Sequence, residues 1–470
     1  DVTPGFYYWD GVKWVRFTTS TTPNNSWLLL GNTGTTASTN FLGTTDNVAL
    51  NFRVNNIKAG RIGVTADKST FLGYEAGLND DLSDNTNTFI GYQVGRSNTT
   101  GRGNTANGVN AFYLNTIGFG NTANGSTALY SNTTGNYNTA NGSRALYSNT
   151  TGYNNTANGS YALDSNTTGN HNTANGMSAL KSNTIGSGNT ANGSYALNSN
   201  TTGYNNTANG IKALYSNTTG YSNIANGTNA LYSNTTGNNN IANGMNALYS
   251  NTTGYSNIAN GTNALYSNTT GNNNTANGVN ALRNNTVGNN NTANGSYALY
   301  SNTTGNYNTV NGTNALYNNT TGNNNTLNGY QSGYSITTGS NNVFIGSNAG
   351  NNGSQKVDAQ NSIAIGSNSF TIADNQVIIG NNNITETQLN GKIQNDVTTA
   401  THAQLTTANT SVIKYTEATN VASGNLPVAT DGTFLYIYCT NAVADFLGSV
   451  VAINEVVSCV RIDGIWRRVK

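Results

Sequence analysis

The chain has 470 residues, a formal net charge of +1 and only 8% charged residues. That balance excludes the basic stripe a nucleic-acid partner requires, and no apolar run is long enough to span a bilayer as a helix. With 54 Gly but 3 Pro, the chain is neither collagen-like nor a Pro-rich linker.

In chain order, "GFYYWDGVKWVRF" near the start predicts a hairpin, two aromatic strands flanking a tight Asp10-Gly11 turn. Residues 1–66 are assigned to an N-terminal β attachment region. The chain begins at Asp1, so removal of a leader stays open.

Residues 67–395 form a repeat array. An Asn-initiated word recurs every 17 residues from Asn87 to Asn342, with looser copies at Ser69, Ser362 and Gln376. Seventeen residues are too few for a helical-pair repeat. Regular Asn-Gly and Thr-Gly pairs mark turns. Each unit therefore reads as one coil of a parallel β-solenoid, and sixteen coils at about 4.8 Å give a rod of roughly 75 Å.

Columns are numbered from the initial Asn. The ninth is Leu in nearly every coil (Leu129, Leu146, Leu299) and the third is mostly Ala. Where the third is large (Phe71, Phe89, Leu327, Phe344), the ninth is Gly, and where the third is Ala364 the ninth is Phe370. Such exchange predicts that the two columns share one close-packed interior. Val310 beside Leu316 fits less well and predicts a wider coil. A constant Ala in the eighth column predicts a tight contact, with a second chain as one candidate. The second and fourth columns face away from the third. They are Thr and Asn in mid-array and aliphatic at its ends (Ile90, Val343, Ile345, Ile363, Ile365), which predicts an interface.

Asn columns at the first, fourth and twelfth positions predict hydrogen-bonded ladders without any ligand. Tyr dominates the tenth column, including Tyr130, Tyr147, Tyr215, Tyr232, Tyr249 and Tyr266. Because Asp164, Lys181, Asn198 and Arg283 also occur there, this column is expected to face solvent. It is either a structural stack or a stripe that binds glycans by stacking. A Thr column at position thirteen raises ice binding as a further alternative. Asp80, Asp81 and Asp84, in the one coil stretched to 18 residues, are a candidate Ca²⁺ site, with a solvated loop as the competing reading. The Asn-x-Thr sequons follow from the repeat itself. His171 and His402 are too far apart for a metal site, no cofactor is implied, and no catalytic constellation emerges.

Residues 396–470 turn to apolar runs and predict a small β-rich C-terminal domain. It holds Trp466, a candidate recognition residue, an Asp463-Gly464 turn, and Cys439 and Cys459, which are either one disulfide or two buried thiols.

At "NTFIG", "NVFIG" and "SIAIG" the sequence resembles the head repeats of YadA-type trimeric autotransporter adhesins, over about Ser69 to Gly380. The resemblance implies a left-handed parallel β-roll with three chains around one axis. The period here is longer than that family's, and Asn in the fourth column would make the trimer seam polar. The opening "PGFYYWDGVKWVRF" is similar to tail-fibre-like surface repeat proteins of Bacteroidetes and their phages. Neither the self-cleaving chaperone of such fibres nor a membrane-anchor barrel is seen, which favours a fibre held by its N-terminus or by a partner.

The expectation is thus an all-β, non-enzymatic fibre on a cell or virion surface, or otherwise extracellular. It is a homotrimeric shaft whose terminal domains meet a protein or glycan receptor. The alternatives are a subunit that joins end to end into a filament, and ice or glycan binding along the shaft.

Overall fold

The computed structural model of the protein describes residues 7–9, 11–16, 36, 42–385, 398–400, 412–415, 434–439, 455–462 and 465–469. Among them there are strands and turns and no helix. Two compact units separate at Ile384 and Thr385.

The N-terminal strands β1 (Tyr7–Trp9) and β2 (Trp14–Arg16) pair antiparallel with Trp9 opposite Trp14. The connection therefore runs over 10–13, four residues rather than a two-residue turn on Asp10-Gly11. Next come β3 (Leu50–Val54), β4 (Ile57–Val64) and β5 (Asp67–Leu72), an antiparallel meander. From β5 the pairing turns parallel, through three-residue strands β6 (Thr88–Ile90) to β23 (Val377–Ile379). This is a parallel β-solenoid of about 18 turns, as the repeat predicts.

Register is set by the repeat. Thr122 pairs with Thr139 and Ala123 with Ala140, an offset of 17 residues. The offset is 18 at the Asp80 coil, and 20 and then 14 over the last two turns. In the regular coils each short strand ends at the fifth column, a Gly with φ near +140°; a Cβ at Gly210 would lie 2.6 Å from the Gly227 carbonyl. Only glycine lets consecutive coils approach that closely at this corner.

One half of the interior is apolar. Phe89, Leu129, Leu146, Leu299 and Phe344 are completely buried, as is the Ala of the third column. The size exchange is real: a Cβ at Gly95 would sit 2.5 Å from the Phe89 ring, and one at Gly350 2.9 Å from that of Phe344. Phe71 stacks on Phe89 at 5.3 Å, and Phe89 then meets Phe112 of the ninth column at 6.3 Å. Val310 and Leu316 are both accommodated, fully buried. The eighth-column Ala is also buried within its own chain. Its tight contact is with the solenoid's own interior, not with another chain.

Leucine sits in the ninth column in a left-handed backbone conformation, with φ of 50° at Leu129 and Leu197. That region costs roughly 1–2 kcal/mol for an L-residue, and full burial of Leu returns about 1.5–3 kcal/mol. Glycine in that column (Gly77 φ 54°, Gly95 φ 59°) removes both the strain and the volume.

The second unit contains a five-stranded sheet, β24 (Thr398–Ala400), β25 (Val412–Tyr415), β26 (Phe434–Cys439), β27 (Glu455–Ile462) and β28 (Ile465–Val469). The strands β27 and β28 flank the Asp463-Gly464 dipeptide with Ile462 opposite Ile465. Cys439 lies opposite Glu455 and Cys459 opposite Leu435. The two cysteines are thus offset by four residues along the ladder.

Phe89→Ala should cost about 3–5 kcal/mol, and Gly95→Leu alone should also destabilise by overpacking. The double variant restores the third-Ala, ninth-Leu arrangement of the regular coils. Thermal melts should show it more stable than either single variant, a coupling expected only if the two columns share one volume.

Candidate functional site

The other half of the interior is amide. Asn121 and Asn132, first and twelfth columns of one coil, are buried to 1% or less. The Asn121 side-chain amide donates to Asn104 Oδ1 (3.2 Å) and to the Gly135 carbonyl (2.9 Å). Asn132 donates to Asn115 Oδ1 (2.9 Å) and to the same Gly135 carbonyl (3.0 Å). Asn104 Oδ1 also accepts the Asn121 backbone N–H. Gly is required at Gly135 because a Cβ there would meet Asn132 Oδ1 and the Gly152 carbonyl. Burying so many amides is tolerable only because both N–H groups and the carbonyl oxygen are used.

These ladders are polar in direction: each amide donates toward the preceding coil. The fourth column, on the outer strand face, runs the other way, Asn124 donating to Asn141 Oδ1 at 2.9 Å. The two interior ladders therefore begin with donors, and Asp80 receives both. Its Oδ2 accepts Asn87 (3.1 Å) and Asn98 (2.8 Å), while Oδ1 accepts Asn85 and the Leu82 backbone N–H. A carboxylate accepts without needing to donate, so it closes the donor end of a ladder as an Asp closes a helix N-terminus.

This assignment replaces the Ca²⁺ reading. Asp80 is buried, Asp81 accepts from Ser83 and Asn85, and Asp84 pairs with Lys68 at the surface. Hydrogen bonds from Ser83 hold the Asp81 carboxyl below its ordinary range. Nearby, burial lowers the Lys58 pKa, opposed by the Asp80 charge; the ammonium donates to the Gly77 carbonyl at 2.6 Å. At the far end, Asn319 Oδ1 is buried without a partner, and the next coil carries Ile336 in the twelfth column.

The tenth column is a half-buried stack, not a solvent-facing stripe. Tyr113, Tyr130 and Tyr147 stack at 5.2 Å, and Tyr215, Tyr232, Tyr249 and Tyr266 at 5.1 Å, with rings nearly parallel. Their faces are turned to each other, the arrangement of the structural-stack alternative. Its interruptions are bridged: Arg144 pairs with Asp164 at 2.9 Å while lying over Tyr147, and Arg283 lies over Tyr266 and Tyr300. The Thr133 hydroxyl donates to the Thr150 carbonyl at 3.1 Å, and its column repeats this, so those hydroxyls point along the stack rather than toward an ice lattice. The twelfth-column sequon asparagines are buried, closed to glycosylation in the folded state. His171 meets the Tyr153 ring edge-on at 5.2 Å. Trp466 lies on β28 opposite Arg461.

Compared with known proteins, the chain matches no family model and no curated protein sequence.

Asp80→Ala should unpair the first donors of both ladders and destabilise the shaft by about 1–3 kcal/mol or more, with Asp80→Asn intermediate, measured by thermal denaturation. Tyr130, Tyr249 and Tyr317 have pKa values raised, by burial first and by neighbouring tyrosines second. A phenol raised on folding contributes stability below its unfolded pKa and loses it as pH rises through the folded value. The shaft should therefore lose stability above about pH 10. Ultraviolet phenolate titration should show a late-ionising class that the unfolded chain lacks.

Proposed function

We propose that the protein is a non-enzymatic structural fibre: a homotrimeric shaft, of the left-handed β-roll kind its sequence resembles, presenting terminal domains to a protein or glycan receptor outside the cell, on a cell or virion surface. The observation that carries this reading is the outer strand face. Its fourth column is aliphatic and exposed at both ends of the stack, with Leu72 56% exposed, Ile90 42% and Ile379 50%, and its second column is aliphatic at the C-terminal end, with Val377 59% exposed. Between them lies a mostly Thr/Asn face, rigid through its own ladder and broken by a central aliphatic step at Ile224, Ile241 and Ile258. Parallel chains around a three-fold axis would place each such column against its own copy, closing aliphatic seals at both ends of a polar seam.

The N-terminal end of the stack speaks against unlimited growth by strand addition. There the parallel stack is covered by the antiparallel β3–β4 pair, with a bulge between Phe52 and Arg53 and charges at Arg53 and Lys58. Bulges and charges are the usual protection of a sheet edge. This supports a discrete fibre over the end-to-end filament.

Light scattering of the purified chain should give three times 49.1 kDa, and electron microscopy should show rods of one length. A monomeric mass would overturn the trimer, and open polymers would favour the filament. Ile345→Asp with Ile365→Asp, both on that face, should dissociate the trimer while leaving the stack of each chain folded.

A further inference from the structure

From Met177 the sixth column has a period of two coils. Met177, Ile211, Met245 and Val279 recur every 34 residues, with Ser194, Thr228 and Thr262 between them. All four apolar side chains are exposed. Three of these alternate coils also carry a cation in the adjoining columns seven and ten: Lys181, Lys212 and Arg283. Columns seven and ten form one ridge, because Tyr297 of the seventh touches Tyr300 and Tyr317 of the tenth.

Lys212 and Arg283 have no carboxylate in the neighbouring coils, and the one carboxylate a rung from Lys181, Asp164, is already paired with Arg144. Arg96 and Arg144 on the same ridge are paired with Glu75 and Asp164, but no acidic residue occurs between Asp164 and Asp358. Lys181 and Arg283 instead lie over tyrosine rings at 5.3 and 5.2 Å, which orients their charge without neutralising it. The ridge continues from the corner glycine and is separate from the strand face assigned to the trimer seam.

We propose that this ridge, from Met177 to Arg283, binds a linear acidic polysaccharide with a carboxylate on every second sugar. Neighbouring coils are 5.1 Å apart by the Tyr232–Tyr249 ring spacing. Two coils thus span about 10 Å, comparable to an extended disaccharide, since each coil adds about 4.8 Å. Lys181 and Lys212 are two coils apart and Arg283 four coils further on, so all three meet carboxylates in one register. The aliphatic knobs beside them on the same coils, and Met245 between, meet the apolar faces of the sugar rings. The tyrosine faces, turned to one another, take no part. The proposal does not rest on the chain being trimeric, so it stands or fails separately from the fibre reading.

The test uses the full chain and hyaluronan, an alternating uronate polymer, with dextran as the neutral control. Affinity electrophoresis at low salt should show retention by hyaluronan and none by dextran, and added salt should abolish it. The triple variant Lys181→Gln, Lys212→Gln, Arg283→Gln should bind at least about tenfold more weakly while melting like the parent. Should that variant lose its transition, the charge reversal Lys212→Glu, at an exposed site, makes the same comparison. Undiminished binding by the variants, equal retention by dextran, or no retention of the parent at low salt would each overturn the proposal.

Discussion

Every coil of this shaft sits on a near-copy of itself about 4.8 Å away, so each column of side chains must tolerate its own image. A charge repeated on every rung would repel its copy at that distance. Side chains that can bond or stack with themselves do well there: the amide, which donates and accepts at once, and the phenol ring, whose face meets another face. The composition of the chain, poor in charge and rich in Asn, Thr and Tyr, follows from that geometry more than from any ligand.

The same constraint divides the cross-section. Ala and Leu fill one half of the interior and fully bonded amides fill the other, a division a 17-residue coil makes possible because so small a perimeter encloses few side chains. Each amide acts through its neighbours above and below, so the ends of the ladders matter more than the middle. Asp80 meets the donor end with a carboxylate, whereas Asn319 leaves a carbonyl oxygen unmatched beside Ile336. The solenoid thus has a defined polarity. Stability in such an array is a sum over neighbouring coils, and function is left to the outward columns that the stack does not consume.

The apolar half of the interior was legible because size varies there: Phe89 with Gly95 and Phe344 with Gly350 expose a shared volume that constant residues would have hidden. The ladders were legible as repeated Asn, but their burial was not, since a polar residue reads as external until the Gly135 carbonyl shows where its second N–H goes. Asp80 was read as a metal candidate because Asp81 and Asp84 stand beside it, although counted from Ser69 it falls in the twelfth column. The tyrosine stack was visible as a column, yet ring orientation is a matter of side-chain torsion that no residue type announces. The left-handed backbone of Leu129 and its equivalents has no sequence signature either, because Leu is not a residue that favours it.

The central claim, that identical columns in register hold the shaft together, is tested most directly by removing chain in the middle of the array. Deletion of residues 223–239 removes one whole coil of 17 residues and leaves every column in register, whereas deletion of 223–230 removes about half of one and leaves nine residues, Leu231 to Asn239, that can neither close a turn nor fit within the preceding coil. Thermal unfolding of the two variants should differ sharply. The account predicts a melt like the parent's for the first and a large loss of stability for the second; equal melting of the two would contradict it.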